Sequence, residues 1–263
     1  MRGLSKRKID NKKELRIVIP VRIDSFERLR NLKLVLHNFL VMDIPVTILE
    51  ADRRPHCSAL LSSFDFDYKF VEDTNEMFHR TRYLNQLLHI CTVPVVGVWD
   101  TDVILSESQI EESLNAVLVE NYVFSSPYNG YFHFLTAQQS MTYVANPDYS
   151  FLQSFFPHDI PFCRRASWGG AFLVNRESYL RCGGENEHFY GWGPEDVERV
   201  HRLEILGYSV HRVESEPLYH LWHSRGANSF ASNADRAFRN RAELVKICSM
   251  TRNELEQEVK TWQ

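Results

Sequence analysis

The side chains best suited to chemistry in this chain fall into four short segments. Asp100-Thr101-Asp102 sets two carboxylates at i and i+2, directly behind the apolar run Val95–Trp99. Two carboxylates leaving a strand together repel a polyanion. With a divalent cation between them they hold one, since hard cations take carboxylate and phosphate oxygens alike. A solvated turn carries the same pattern, so the triplet alone leaves both readings open. His220-Leu-Trp-His223-Ser-Arg225 places two histidines three apart beside an arginine. Imidazole suits Mn2+ better than Ca2+, so this pair either completes a metal site begun by the aspartates or packs as a structural aromatic pair. Gly191-Trp-Gly-Pro-Glu195-Asp196 joins glycines that admit a close ligand, a flat indole for a sugar ring, and two carboxylates at a helix start. A carboxylate there is favoured as the anion, the form a general base needs; plain helix capping is the alternative, although capping needs no tryptophan. Ser167-Trp-Gly-Gly170 marks a tight turn or a close backbone approach.

These segments need a frame. Residues 15–20 (LRIVIP) read as a strand stopped by proline, and Ser25 as the cap of a helix whose Leu29, Leu32, Leu36, Phe39 and Leu40 recur at helical spacing. Residues 46–49 form the next strand, so the chain opens β-α-β with parallel neighbours. Arg80–Ile90 reads as a helix and the apolar run before Asp100 as a buried strand. Ser106 and Gln109 make a capping box, as do Thr251 and Glu254. Residues 171–174 are a strand. Pro194 suits the first turn of a helix that stops at Gly207, while 119–165 resist assignment. The pattern predicts an open α/β sheet whose ligands sit beyond the carboxyl ends of its strands, where Asp100 and Asp102 lie. The expected layout is a polar tail over 1–14, a body over 15–230 and a helical extension over 231–263 packed on it. Residues 224–240, with Gly226 as hinge, are a candidate lid.

The 263 residues suffice for a sizeable core, and 44% apolar with 24% charged residues is globular composition. A net charge of −4 makes no electrostatic case for nucleic acid or for an anionic membrane. Five cysteines, odd in number and without a CxxC pair, predict reduced thiols. With no signal peptide and no apolar run of about 18 residues, the expectation is a cytoplasmic protein without a transmembrane segment, free or peripheral to the inner membrane face.

In order, the four segments resemble the β-1,4-galactosyltransferase family (glycosyltransferase family seven) and, more loosely, galactosyltransferase C-terminal-like bacterial enzymes and polypeptide GalNAc-transferases. The resemblance runs from about Leu15 to Asn228. It implies a GT-A fold, a single Rossmann-like mixed sheet flanked by helices, together with UDP-sugar donors, Mn2+ and inversion at the anomeric carbon. Pro20-Val-Arg22 resembles the family's nucleotide-binding PFR. Phe78-His-Arg80, followed by Leu84-Asn85, resembles its FNR…LLN, which implies Phe78 against the uracil and Arg80 on the nucleotide. Asp100-Thr-Asp102 matches its DVD, implying Asp102 on the metal and Asp100 near the donor sugar. Trp168-Gly169-Gly170 matches its aromatic-Gly-Gly in the donor pocket. Gly191 to Asp196 matches GWGGED, implying Asp196 as catalytic base with Trp192 and Glu195 on the acceptor. His223-Ser-Arg225 matches HSR, implying His223 on the metal and Arg225 at the donor.

The departures sharpen the expectation. His220 stands where the family has a metal-binding methionine, which broadens metal choice from Mn2+ toward Mg2+ or Co2+. Ser167 replaces a donor-pocket tyrosine and leaves room for an N-acetyl group, so UDP-GalNAc is as plausible as UDP-Gal. Val197 replaces an acceptor-binding aspartate, which puts GlcNAc as acceptor in doubt. The family's disulfides and membrane anchor are missing, favouring a bacterial enzyme acting on a glycan or glycolipid-precursor acceptor. The rival readings are a nucleotidyltransferase acting on sugar phosphates, disfavoured by the lack of a glycine-rich loop after the first strand, and a non-catalytic carbohydrate-binding relative.

Overall fold

The computed structural model describes residues 11–155, 166–226 and 233–262. The first strand, β1 (Leu15–Val21), is buried along nearly its whole length and leads through the Ser25 cap into α1 (Phe26–Val41). Ser25 Oγ accepts from Arg28 N at 3.2 Å. The chain returns along β2 (Val46–Asp52) and, after a short 3-10 turn, along β3 (Asp67–Glu72). Helix α2 (Arg80–Ile90) then crosses to β4 (Val95–Trp99). Beyond the acidic triplet lie β5 (Val103–Ile104) and α3 (Glu107–Leu118), which carries the expected Ser106–Gln109 capping box. The stretch that resisted assignment contains β6 (Phe124–Ser126), β7 (Phe132–Phe134), α4 (Ala137–Ala145) and α5 (Tyr149–Gln153). The rest is β8 (Ala171–Asn175), α6 (Arg176–Arg181), α7 (Glu195–Ile205), β9 (Val210–Arg212), β10 (Leu218–His220), α8 (Ala234–Cys248) and α9 (Arg252–Glu258). Pro194 is the cap before α7 and not a residue of its first turn.

Seven strands make one mixed sheet in the order β3-β2-β1-β4-β8-β6-β9, and β5-β10-β7 make a second, small one. β1 lies parallel between β2 and β4, so the strand order reverses there, the place where open α/β sheets leave a crevice. Proline widens it. Ile17 N donates to Pro45 O on the β2 side at 3.0 Å. By alternation Pro20 therefore faces the β4 side, where pairing has already ended at Val18. Its missing N–H removes no ladder bond, and β1 and β4 part at their carboxyl ends. The small sheet spans the far wall of this opening: β10 runs antiparallel to β5, with His220 opposite Val103.

Apolar side chains fill both faces of the large sheet. One cluster includes Leu32, Leu36 and Phe39 of α1 and Ile110, Leu114 and Val117 of α3. The other includes Leu84 and Leu87 of α2, Val200 and Leu203 of α7, and Ile247, Leu255 and Val259 from the last helices. Cys57, Cys91 and Cys182 are buried free thiols, Cys248 is an exposed one, and Cys163 lies outside the described residues. Among the described residues, no helix is long and apolar enough to cross a membrane.

Gly97 sets the spacing at the sheet's centre, because a Cβ there would stand 2.5 Å from Ile17 Cδ1. Gly97→Val should therefore cost about 1–3 kcal/mol by overpacking, read as a lowered urea midpoint at unchanged slope.

Candidate active site

Where β1 and β4 diverge, a cleft opens that is lined by Pro20, Arg22, Asp24, Arg28, Phe78, Arg80, the acidic triplet, Gly191, Trp192, Glu195, Asp196, His220, His223 and Arg225. Segments far apart in sequence thus converge on one surface.

One wall is a carboxylate held between two imidazoles. Asp102 is buried, with His220 Nε2 3.4 Å from its Oδ1 and His223 Nε2 3.2 Å from its Oδ2. The small sheet makes this pairing, since β10 brings His220 beside β5 and Leu221 N donates to Asp102 O at 2.8 Å. His223 Nδ1 lies 2.8 Å from Ser224 O, a carbonyl that can only accept, so Nδ1 carries the proton. Its Nε2 faces a carboxylate oxygen of Asp102, a contact closed either by a second ring proton or by a cation between the two atoms. Ligand atoms of all three side chains lie within 4.8 Å of one another, so the residues fit a divalent metal. One carboxylate and two imidazoles suit Mn2+ and its transition-metal neighbours. Burial pulls His220 below the ordinary histidine range, against the pull of Asp102, which favours the neutral ligand form. Burial also opposes the charge on Asp102. His220, Arg28 and His223, the two imidazoles in their protonated form, outweigh it and hold the carboxyl below its usual range.

Arg28 is a member that the sequence reading passed over as a polar position of α1. Its guanidinium donates to Asp24 Oδ1 at 2.8 Å and to Thr101 Oγ1 at 3.3 Å, and it stands 3.7 Å from Asp102 Oδ2. It places positive charge behind the carboxylate. Asp100, next along, accepts from Arg80 Nη2 at 2.8 Å, while its own N–H is tied to Gly170 O at 2.9 Å.

The opposite wall is the start of α7. Asp196 Oδ1 accepts from Arg199 Nη1 at 2.8 Å. Arg199 is fully buried; it also donates to Glu185 at 2.7 and 3.0 Å and lies over the Phe172 ring at 4.2 Å. Neither Arg199 nor Glu185 stood out in the sequence, where each reads as an ordinary helix or loop charge. Asp196 Oδ2 rests against Gly169, where a Cβ would come within 2.3 Å of it. Two buried polar atoms beside it have no partner: Glu195 Oε2 and Arg80 Nη1. Burial, then the neighbouring Asp196 charge, push Glu195 up to about 8.

Other expected residues take supporting places. Arg22 lines the cleft, but its donors go to Asp73 Oδ2 (2.6 Å), Asn75 O (2.8 Å) and Ala51 O (3.0 Å). What it offers the cleft is charge and a seat for Phe78, whose ring it covers at 5.6 Å. Trp168 and Gly170 stand behind the lining. Arg212 stacks on Trp168 at 3.6 Å and Phe124 meets its edge. Trp192 is 54% exposed, the right setting for a stacking ligand. Its turn is clamped from α8 by Asn240 Nδ2, which donates to Trp192 O at 3.1 Å and Tyr190 O at 3.3 Å. Gly193 leaves the room, since a Cβ there would meet that amide at 2.5 Å. Of the stretch considered as a lid, 227–232 lie outside the described residues and Asn233 caps α8.

A family profile described as the N-terminal domain of galactosyltransferase matches residues 152–224. A putative polypeptide N-acetylgalactosaminyltransferase 13 of Drosophila melanogaster is 28% identical over 78 residues, which are 30% of this chain and 14% of that protein. Among solved structures, the catalytic domain of Drosophila β-1,4-galactosyltransferase 7 in complex with xylobiose superposes with a TM-score of 0.52 at 16% identity, covering 90% of this chain and 81% of that one. GalNAc-T7 with UDP, GalNAc and Mn2+ gives a TM-score of 0.59 at 10% identity, covering 88% and 47%. The chain spans less than half of the length of that enzyme and a seventh of the curated relative. The fold is GT-A, and the Drosophila relatives are animal proteins.

Mn2+ at a hundredfold excess over its dissociation constant should stabilise the protein by about 2.7 kcal/mol, seen as a thermal shift that EDTA reverses and that Asp102→Asn largely abolishes. Glu195 binds its proton more tightly folded than unfolded. The stability this contributes is present below about 4.5 and lost as pH rises through about 8. Glu195→Gln, which cannot ionise, should therefore gain urea stability over the parent protein progressively across that window.

Proposed function

We propose that the chain belongs with the galactosyltransferase-like proteins of the family-seven type and that it moves Gal or GalNAc from a UDP-sugar to a hydroxyl of a glycan acceptor, with inversion. The observation that carries the reading is one cleft with a carboxylate–imidazole cluster on one wall and a positioned carboxylate, Asp196, on the other. Asp102, His220 and His223 would hold the metal, Mn2+ by preference. When bound, it neutralises charge on the diphosphate leaving group.

The remaining steps belong to the chain's own side chains. Phe78, seated by Arg22 and stacked on Tyr83 at 5.3 Å, offers the base a ring face. Arg80 pairs with Asp100 through Nη2 and keeps Nη1 for the donor. Arg225 supplies charge at the cleft's edge. Trp192 stacks on the acceptor and Glu195, with its free Oε2, orients it. Asp196 takes the proton from the acceptor hydroxyl as that oxygen bonds to the anomeric carbon and the bond to the diphosphate breaks. Arg199 holds Oδ1 of Asp196 and so fixes the orientation of the carboxylate. Alignment and charge placement supply most of the rate. Ser167, small where relatives of the family carry tyrosine, keeps both Gal and GalNAc in range. The acceptor is a glycan or a glycolipid precursor.

The test is release of UDP from UDP-Gal, UDP-GalNAc, UDP-Glc and UDP-GlcNAc with Mn2+ and with EDTA. Release from the first two, dependent on metal, is expected. Asp196→Asn should lower turnover by roughly 10²–10⁴ while the thermal response to Mn2+ persists. Undiminished turnover in that variant would sink the base assignment, and metal-independent release would sink the reading as a whole.

A further inference from the structure

The outward face of α1 carries a feature that the cleft does not use. Phe26, Leu29, Arg30, Lys33, Leu34 and His37 form one side of an apolar groove, closed by Leu60 and Phe64 on one side and Val144 and Pro147 on the other. Phe26 is 77% exposed, and Leu61 and Met141 flank the groove, also exposed. Its basic members, Arg30, Lys33 and His37, fall at helical spacing on one stripe, and no acidic side chain is among the lining residues. Arg30 is held in place by Asn31 Oδ1 at 3.0 Å and Trp222 O at 3.2 Å, so its charge is fixed at the rim. Glu27, on the next position round the helix, accepts from Ser224 Oγ and turns toward the cleft side.

An exposed aromatic, an apolar trough and a row of cations along α1, with the exposed carboxylates Asp65 and Asp148 outside the lining, fit an interfacial membrane contact. We propose that this face docks on an anionic lipid surface, with Phe26 entering the headgroup–acyl boundary and Arg30 and Lys33 meeting lipid phosphates. An extended peptide finds no backbone edge to pair with here, because the amides of α1 are bonded within the helix. A second copy of the chain would bring the same basic stripe and no lining carboxylate to meet it. The net charge of −4 averages over the whole chain and hides this local stripe. Arg28, which lines the cleft, lies about half a turn round α1 from Phe26, Lys33 and His37, so the docking face and the cleft are separate surfaces and the docking does not rest on the transferase reading.

The experiment is co-sedimentation of the full chain with vesicles of phosphatidylcholine alone or mixed with phosphatidylglycerol, at low and high salt. Binding to the mixed vesicles only, weakened by salt, is expected. Phe26→Ser should lower partitioning about tenfold and Lys33→Ala about fivefold. Both variants should keep the native circular dichroism and metal-dependent UDP release. Binding to neither vesicle, equal binding to both, or indifference to both substitutions overturns the proposal. So does a concentration-dependent dimer, abolished by Phe26→Ser, in a protein that ignores vesicles. UDP release is read separately, so failure of docking and failure of the transferase reading are distinguishable.

Discussion

The buried charge of Asp102 is the constraint around which this structure is arranged. A carboxylate taken out of water is costly unless cations or donors meet it. Here three elements are brought to it: Arg28 from α1, His220 from the end of β10 and His223 from the segment beyond. The small three-stranded sheet has little core of its own and is best understood by what it delivers. Its β5 begins one residue after Asp102, and its β10 ends on His220. The large sheet supplies the other half of the arrangement, because β4 carries the carboxylate to the crevice that the Pro20 side of β1 leaves open.

A second buried charge organises the facing wall. Arg199 has no solvent exposure and would be strongly destabilising without partners; Glu185 takes two of its donors and Asp196 a third. Glu185 is itself buried and held below its usual range, with burial opposing and Arg199 prevailing. This network ties the orientation of Asp196 to the interior of the protein and not to a surface loop. Beside it, Arg202 and Glu198, both fully buried, pair at 2.8 Å and fasten α7 to the turn after α6, where Arg202 donates to Gly184 O at 2.7 Å. The start of α7 is therefore rigid from below, while the Trp192 turn above it is held by Asn240 from α8. The C-terminal helices thereby bear on the cleft although none of their residues lines it.

What was legible in the sequence follows from which forces are local. The capping boxes at Ser106 and Thr251 and the strand feeding Asp100 are short-range matters of hydrogen bonding and periodicity, and each appears where its pattern places it. The segment 119–155 was opaque because β6 and β7 are three residues each, too short for a period to show, and their partners β8, β9 and β10 come from much later in the chain. In the cleft, residues embedded in unusual motifs were visible, among them Asp102, Asp196, Trp192 and His223. Arg28, Arg199, Glu185 and Asn240 were not. Each is a common surface residue type whose role is created by a partner elsewhere in the chain, and no local spacing encodes such a partner.

Trp168 and Gly170 show the converse, a motif that is legible but acts one layer back. Gly170 supplies the carbonyl that fixes Asp100, and its φ of +83° is one that a side chain would strain. Gly169 leaves the space that Asp196 occupies, and Trp168 is locked between Arg212 and Phe124. Substituting Gly170 would disturb Asp100, and substituting Gly169 would disturb Asp196, without removing a group that faces the cleft. The same reasoning explains why Arg80 and Glu195 can each keep an unpartnered polar atom. Asp100 anchors the other end of the arginine, Asp196 is anchored by Arg199, and the cost of the two open positions is borne by a wall too well held to collapse onto them. A polar ligand entering between the walls meets a donor and an acceptor already desolvated, so its own hydrogen bonds replace none within the protein.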